Sequence, residues 1–60
     1  MRNFMYMDQD GPVYVTDEQI IKEYFPWWSK KMREVNREHL ISEEHCIEDF
    51  CAVHWATEID

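Results

Sequence analysis

The sequence predicts an α+β domain of order ββααβ, a three-stranded antiparallel sheet covered on one face by two helices. Three observations carry that prediction. Two β-rich runs flank an Asp-Gly turn near the start. A Thr and a Ser, each followed by acids, open two amphipathic stretches with helical spacing. The last ten residues then switch to a period of two. Sixty residues leave room for one small domain, residues 1–60, and for no second core. An apolar content of 45% with nine aromatics, three each of Trp, Tyr and Phe, argues against disorder, because large apolar side chains offset the loss of chain entropy.

Residues 3–7 read Asn, Phe, Met, Tyr, Met, and Pro12-Val13-Tyr14-Val15 follows the turn Asp8-Gln9-Asp10-Gly11. Two such runs around Asp-Gly form a hairpin. Pro12 lacks an N–H, which confines it to the start of the second strand or to its free edge. Thr16-Asp17-Glu18-Gln19 is a capping box, with Thr16 as N-cap and Asp17 and Glu18 at the positive end of the helix. From there Ile21, Phe25, Trp28, Met32 and Val35 recur at steps of four and three, widened by Ile20, Tyr24 and Trp27. The stripe keeps its register through Pro26, so the expectation is one bent helix, not two.

Asn36-Arg37-Glu38-His39 ends that helix. Ser42 caps a second, short helix whose apolar face is Cys46, Ile47 and Phe50 and whose other face is Glu43, Glu44, Glu48 and Asp49. Beyond Phe50, Cys51, Val53, Trp55, Thr57 and Ile59 fall on one side of a two-residue alternation, which reads as a third strand. Helix continuing to about residue 57 is the alternative, since Ala52 and Ala56 favour helix. The expected core is Ile21, Phe25, Trp28, Met32, Ile47, Phe50, Val53 and Trp55.

The formal net charge is −7. Its distribution says more than its sum. Lys30, Lys31, Arg33 and Arg37 make one basic stretch, whereas Glu38, Glu43, Glu44, Glu48, Asp49, Glu58 and Asp60 follow with no Lys or Arg after Arg37. A protein that binds duplex nucleic acid directly needs the opposite sign, so that class is disfavoured. No apolar run is long enough for a signal sequence or approaches the roughly twenty residues of a membrane span. Two cysteines are too few for a disulfide framework. The expectation is a soluble chain in a reducing, cytoplasmic compartment that does not contact a membrane.

Metal and catalytic chemistry are weakly represented. Cys46, Cys51 and His54, with His39 and His45 nearby, are zinc-type ligands, but five positions on a helix turn Cys46 and Cys51 away from each other. Packing cysteines are the better account, with no metal and no cofactor. In an extended strand Cys51 and His54 would project to opposite faces, which excludes a nucleophile pair there. Gly11 is the single glycine and is spent on the turn, so no phosphate-cradling loop exists. No enzyme constellation emerges. The partner-binding residues read from the sequence are therefore Glu43, Glu44, Glu48, Asp49 and Glu58, as carboxylates placed where a basic site expects phosphates, and Trp27, which lies off the core stripe beside cations.

Thr16-Asp17-Glu18-Gln19-Ile20-Ile21, Tyr24-Phe25-Pro26-Trp27-Trp28, Met32, Ser42-Glu43-Glu44, Cys46-Ile47-Glu48-Asp49-Phe50 and Val53-His54-Trp55-Ala56 together resemble small uncharacterised proteins of tailed bacteriophages, over roughly residues 16–58. The resemblance implies a context: a viral protein that evades host defence by binding a host enzyme or defence complex. It assigns no activity. The functional expectation is an acidic module that occupies the basic, nucleic-acid-binding surface of a host protein, as a DNA mimic and inhibitor. The alternative is a structural or assembly module that self-associates as a homodimer through exposed aromatics, its basic patch at Lys30 to Arg37 meeting a neighbour's acidic tail.

Overall fold

A computed structural model describes residues 1–59; Asp60, expected in the acidic surface, lies outside the described residues. The elements follow the predicted order: β1 (Asn3–Asp8), β2 (Gly11–Thr16), α1 (Asp17–Glu34), a 3₁₀ turn (Glu38–Leu40), α2 (Glu43–His54) and β3 (Thr57–Ile59). The hairpin forms because Gly11 takes a φ of 117°, a conformation side chains resist, at the exit of the turn. β1 then becomes the central strand of an antiparallel sheet ordered β2-β1-β3. Phe4 faces Val15 and Tyr6 faces Val13 on β2, while Asn3, Phe4 and Met5 face Ile59, Glu58 and Thr57 on β3.

The free edge of β2 is blunted by its own sequence. Asp17 N–H donates to the Arg2 carbonyl at 3.0 Å, and the antiparallel alternation from that bond turns the donors of Val15 and Val13 toward β1. The outward positions are then Pro12, which has no N–H, Tyr14, and Thr16, whose N–H donates to Gln19 Oε1 at 2.9 Å. One outward donor, that of Tyr14, is left for another strand to pair with.

Thr16 closes β2 and opens α1 through the complete capping box, its Oγ1 accepting from Gln19 N–H at 3.2 Å. The helix runs unbroken through Pro26, as the continuous stripe predicts. It stops in a Schellman motif: Asn36 adopts φ 61°, its N–H donates to Arg33 O, and Arg37 N–H donates to Met32 O. Asparagine suits that left-handed position because its short polar side chain tolerates it. Ser42 caps α2, accepting from His45 N–H at 3.1 Å.

The third strand is shorter than the alternation suggests. Cys51, Ala52, Val53 and His54 are the last turn of α2, and only Thr57–Ile59 pairs with β1. Once Ser42 has nucleated the helix and Cys46, Ile47 and Phe50 anchor its face, each further residue adds a hydrogen bond for one residue's ordering. The alternation from 51 to 55 was incidental. Trp55, at φ 56°, ends the helix, and Ala56 N–H donates to Cys51 O at 2.9 Å.

The core is Phe4, Ile20, Trp28, Cys46, Ile47 and Phe50, with Tyr6, Val15, Ile21, Tyr24, Phe25, Met32, Ile41, Cys51 and Ala56 packed at its margin. Two expected core residues are on the surface: Val53 is 65% exposed and Trp55 89%. Trp55 sits at the left-handed exit, and Val53, although on the same side of α2 as Cys46 and Phe50, lies in the helix's last turn, where the core no longer covers it. The centre of the α1 face is the line Ile20, Tyr24, Trp28, one position off the expected axis. Ile21, Phe25 and Met32 are half-buried, and Val35 is exposed beyond the sheet. Phe4 and Cys46 complete the interior.

Candidate functional site: an acidic cleft between two helix starts

The first turns of α1 and α2 lie side by side. They frame an open cleft of about 280 Å³ lined by Asp17, Glu18, Ile21, Lys22, Glu43 and Ile47. Its arrangement follows from the two caps. Each helix starts with acids because the exposed N–H groups of a first turn favour negative charge. Packing start against start therefore brings Asp17 and Glu18 to Glu43. The residues one turn further along, Ile21 and Ile47, supply an apolar floor. Lys22 is the single cation among the six lining residues.

The structure sorts the expected contact acids into two groups. Glu43 and Glu48 are exposed on α2. Glu44 and Glu58 are held by Arg2. The guanidinium makes a two-pronged contact with Glu58, Nε to Oε2 at 3.1 Å and Nη2 to Oε1 at 3.0 Å, and reaches Glu44 Oε2 at 3.4 Å. This hydrogen-bonded cation holds the Glu58 carboxyl below the usual carboxylate range, and the acids in turn raise Arg2. Asp49 has a structural task as well, since the buried Trp28 indole N–H donates to its Oδ2 at 2.6 Å. Glu43, expected on the outer face, lies one turn before Ile47 and over the cleft instead; for Asp49, sequence spacing cannot show that Trp28 reaches it from the core.

Trp27 is 55% exposed, as its place off the stripe predicts. Its ring leans on Tyr24 with centroids 5.4 Å apart, and Lys31 Nζ sits 6.0 Å from its centre. Lys31 also meets Glu34 at 3.6 Å, so the end of α1 is a mixed-charge surface.

Cys51 and His54 share the last turn of α2, three positions apart, and so do not project oppositely as a strand would require. His54 Nδ1–H donates to the Phe50 carbonyl at 3.0 Å, and its ring stacks on Phe50 with centroids 4.1 Å apart, flanked by Tyr6 and Tyr24. Burial raises the Cys51 thiol, the opposite of what an activated nucleophile needs. Cys46 is fully buried, and burial followed by the nearby Asp49 and Glu43 charges pushes its thiol up to about 11. Among the described residues no three His, Cys, Asp or Glu side chains converge as a metal ion requires, and no helix is long and apolar enough to cross a membrane.

Spacing along the chain does not show that Asp17 and Glu18 become a wall, and Ile21 and Ile47 the floor, of one cleft. Both caps are legible; that the two helices pack start to start depends on the long return from Val35 to Ser42, which carries no such signal. Comparison with protein families, with curated proteins and with solved structures finds no match to this chain.

Proposed function

We propose that this chain is a small acidic protein-binding module that occupies a basic, nucleic-acid-binding surface of a partner. In the setting the sequence suggests, it is a phage-encoded inhibitor acting in the host cytoplasm on an enzyme or defence complex. The observation that carries this reading is the cleft between the two helix starts. Asp17, Glu18 and Glu43 ring an apolar floor of Ile21 and Ile47, and Glu44 and Glu48, four positions apart, form a second acidic row on the outer side of α2. An arginine or lysine fits that combination, its stem on the isoleucines and its cation among the carboxylates. Charge density supports the mimicry. Glu43 to Asp49 spans about 9 Å of helix axis and carries four acids, about one per 2.3 Å, sparser than duplex DNA's roughly one charge per 1.7 Å but of the same order. Arg2 and Trp28 hold Glu44, Glu58 and Asp49 in place, which sets part of that charge in a fixed pattern.

The test is affinity capture from a host-cell lysate with the parent chain and with the double variant Glu43→Gln, Glu48→Lys. Both positions are exposed, so the variant keeps its fold. The expected result is a captured basic protein whose affinity falls about tenfold or more in the variant. Capture of the same protein with equal affinity by both chains would overturn the reading.

A further inference from the structure

We propose that the gap between Tyr6, Tyr24 and Phe50 is a cage for an alkylated ammonium group, a cation whose outer skin is methyl. The three rings come from three elements: Tyr6 from the inward side of β1, Tyr24 from α1 and Phe50 from α2. Tyr6 stands at 77° to Phe50 with centroids 5.9 Å apart, and Tyr24 at 82° with centroids 5.4 Å apart. His54 stacks on Phe50 and lies beside both tyrosines, so the rings hold one another before any ligand arrives. They do not close the space between them. A gap of about 60 Å³ remains, lined by these rings, by Val15 and Ile20, and by the exposed Gln19 and Glu23. Close packing normally fills such a void with side chains.

The lining selects the occupant by size and by charge. At about 10–15 Å³ for each water-sized group, the gap has room for about four to six heavy atoms, which a trimethylammonium group fills and a nucleobase or sugar exceeds. No Lys or Arg is among the seven lining residues, so an anion finds no counter-ion there. A cation finds two attractions: the negative faces of the rings, and the Glu23 carboxylate, which is absent from the ion pairs among the described residues. An unmodified lysine ammonium or an arginine guanidinium brings several N–H donors, and one carboxylate beside Val15 and Ile20 leaves most of them unpaired. Methyl groups on the nitrogen remove that cost. They need no hydrogen bond, pack on the aliphatic wall and bring the charge against the rings. A methylated lysine side chain and choline share this group. The cage is separate from the acidic cleft: along α1, Gln19, Ile20, Glu23 and Tyr24 lie on the flank opposite Asp17, Glu18, Ile21 and Lys22.

Nuclear magnetic resonance titration of the isotope-labelled chain with tetramethylammonium chloride, at an ionic strength held constant with sodium chloride, tests this. Saturating shifts are expected on Tyr6, Val15, Tyr24 and Phe50, with half-saturation on the order of 1 mM, the range open to so small a ligand. Neopentyl alcohol has the same methyl skin without the charge and should bind at least about tenfold more weakly. Tyr24→Leu keeps the apolar bulk, removes one ring and should weaken binding about tenfold. If that variant fails to fold, Glu23→Lys replaces it: the position is exposed, so the circular dichroism should stay unchanged while the shifts disappear. Choline and a trimethyllysine peptide, titrated in parallel, separate the two sources, the tighter ligand naming the natural one; the same peptide with unmodified lysine should not bind. Absence of saturating shifts, equal affinity for neopentyl alcohol, or shifts confined to Ile21, Glu43 and Ile47 would overturn the proposal. None of these results depends on a basic protein partner, so the cage can fail while the acidic cleft's role stands, and the reverse.

Discussion

At the scale of single residues, Trp28 does two things that the stripe on α1 shows only in part. Its spacing from Ile21 and Phe25 places it in the core, and there it is buried. Its indole N–H then needs an acceptor, and Asp49 supplies it at 2.6 Å, tying α1 to α2. Trp28→Ala should cost about 3–5 kcal/mol, close to the whole stability of so small a domain, and melting followed by circular dichroism would measure it. Asp49→Ala should cost about 1–3 kcal/mol, because it leaves a partly buried donor unpaired. Cys46 gives a second prediction. With its side chain fully buried and its thiol at about 11, Cys46 in the folded chain should be alkylated at least about a hundredfold more slowly than in a denatured one near pH 8. The raised value belongs to the folded state, so the stabilising protonated thiol is fully present below the ordinary thiol range. That contribution is lost as pH rises toward 11.

At the scale of elements, both caps and the exit of α1 at Asn36 were legible, and the exit of α2 was not. Thr16 and Ser42 hydrogen-bond their own next turns, so their role lies within four residues of sequence. The switch from α2 to β3 depends on tertiary contacts. His54 stacks on Phe50 and leans at a tilt on Tyr6, which favours one more helical turn over the alternation that Val53 and Trp55 suggest. Trp55 pays for that exit with a left-handed backbone under a bulky side chain that is itself exposed. Trp55→Gly should therefore leave the fold intact and raise its stability by about 0.5–1 kcal/mol in urea unfolding. Arg2 joins the start of β1 to β3 and α2. Since the Glu58 carboxyl is lowered in the folded chain, its stabilisation is present above the ordinary carboxylate range. It disappears as pH falls through the lowered value. Glu58→Gln should lower the neutral plateau slightly and leave the acid end nearly unchanged, which flattens the acid limb; the loss is small because the pair is exposed and salt-screened.

At the scale of the whole molecule, the sign of the surface was readable from the run without Lys or Arg after Arg37, but the shape of the site was not. Asp17 and Glu18 look like ordinary first-turn acids until α2 starts beside them, when they become one wall of a cleft whose other wall is Glu43. Glu44, Glu58 and Asp49 look free until Arg2 and Trp28 are placed. We propose that this negative surface takes the place of nucleic acid on a basic partner. The most direct measurement is competition on that partner, once captured: a fluorescent duplex is bound to it and the chain is titrated in, at low and at physiological salt. The duplex should be displaced in full, with the chain's affinity falling steeply as salt rises and falling again in the Glu43→Gln, Glu48→Lys variant. A ternary complex, in which the partner holds duplex and chain together with an affinity indifferent to salt, would contradict it.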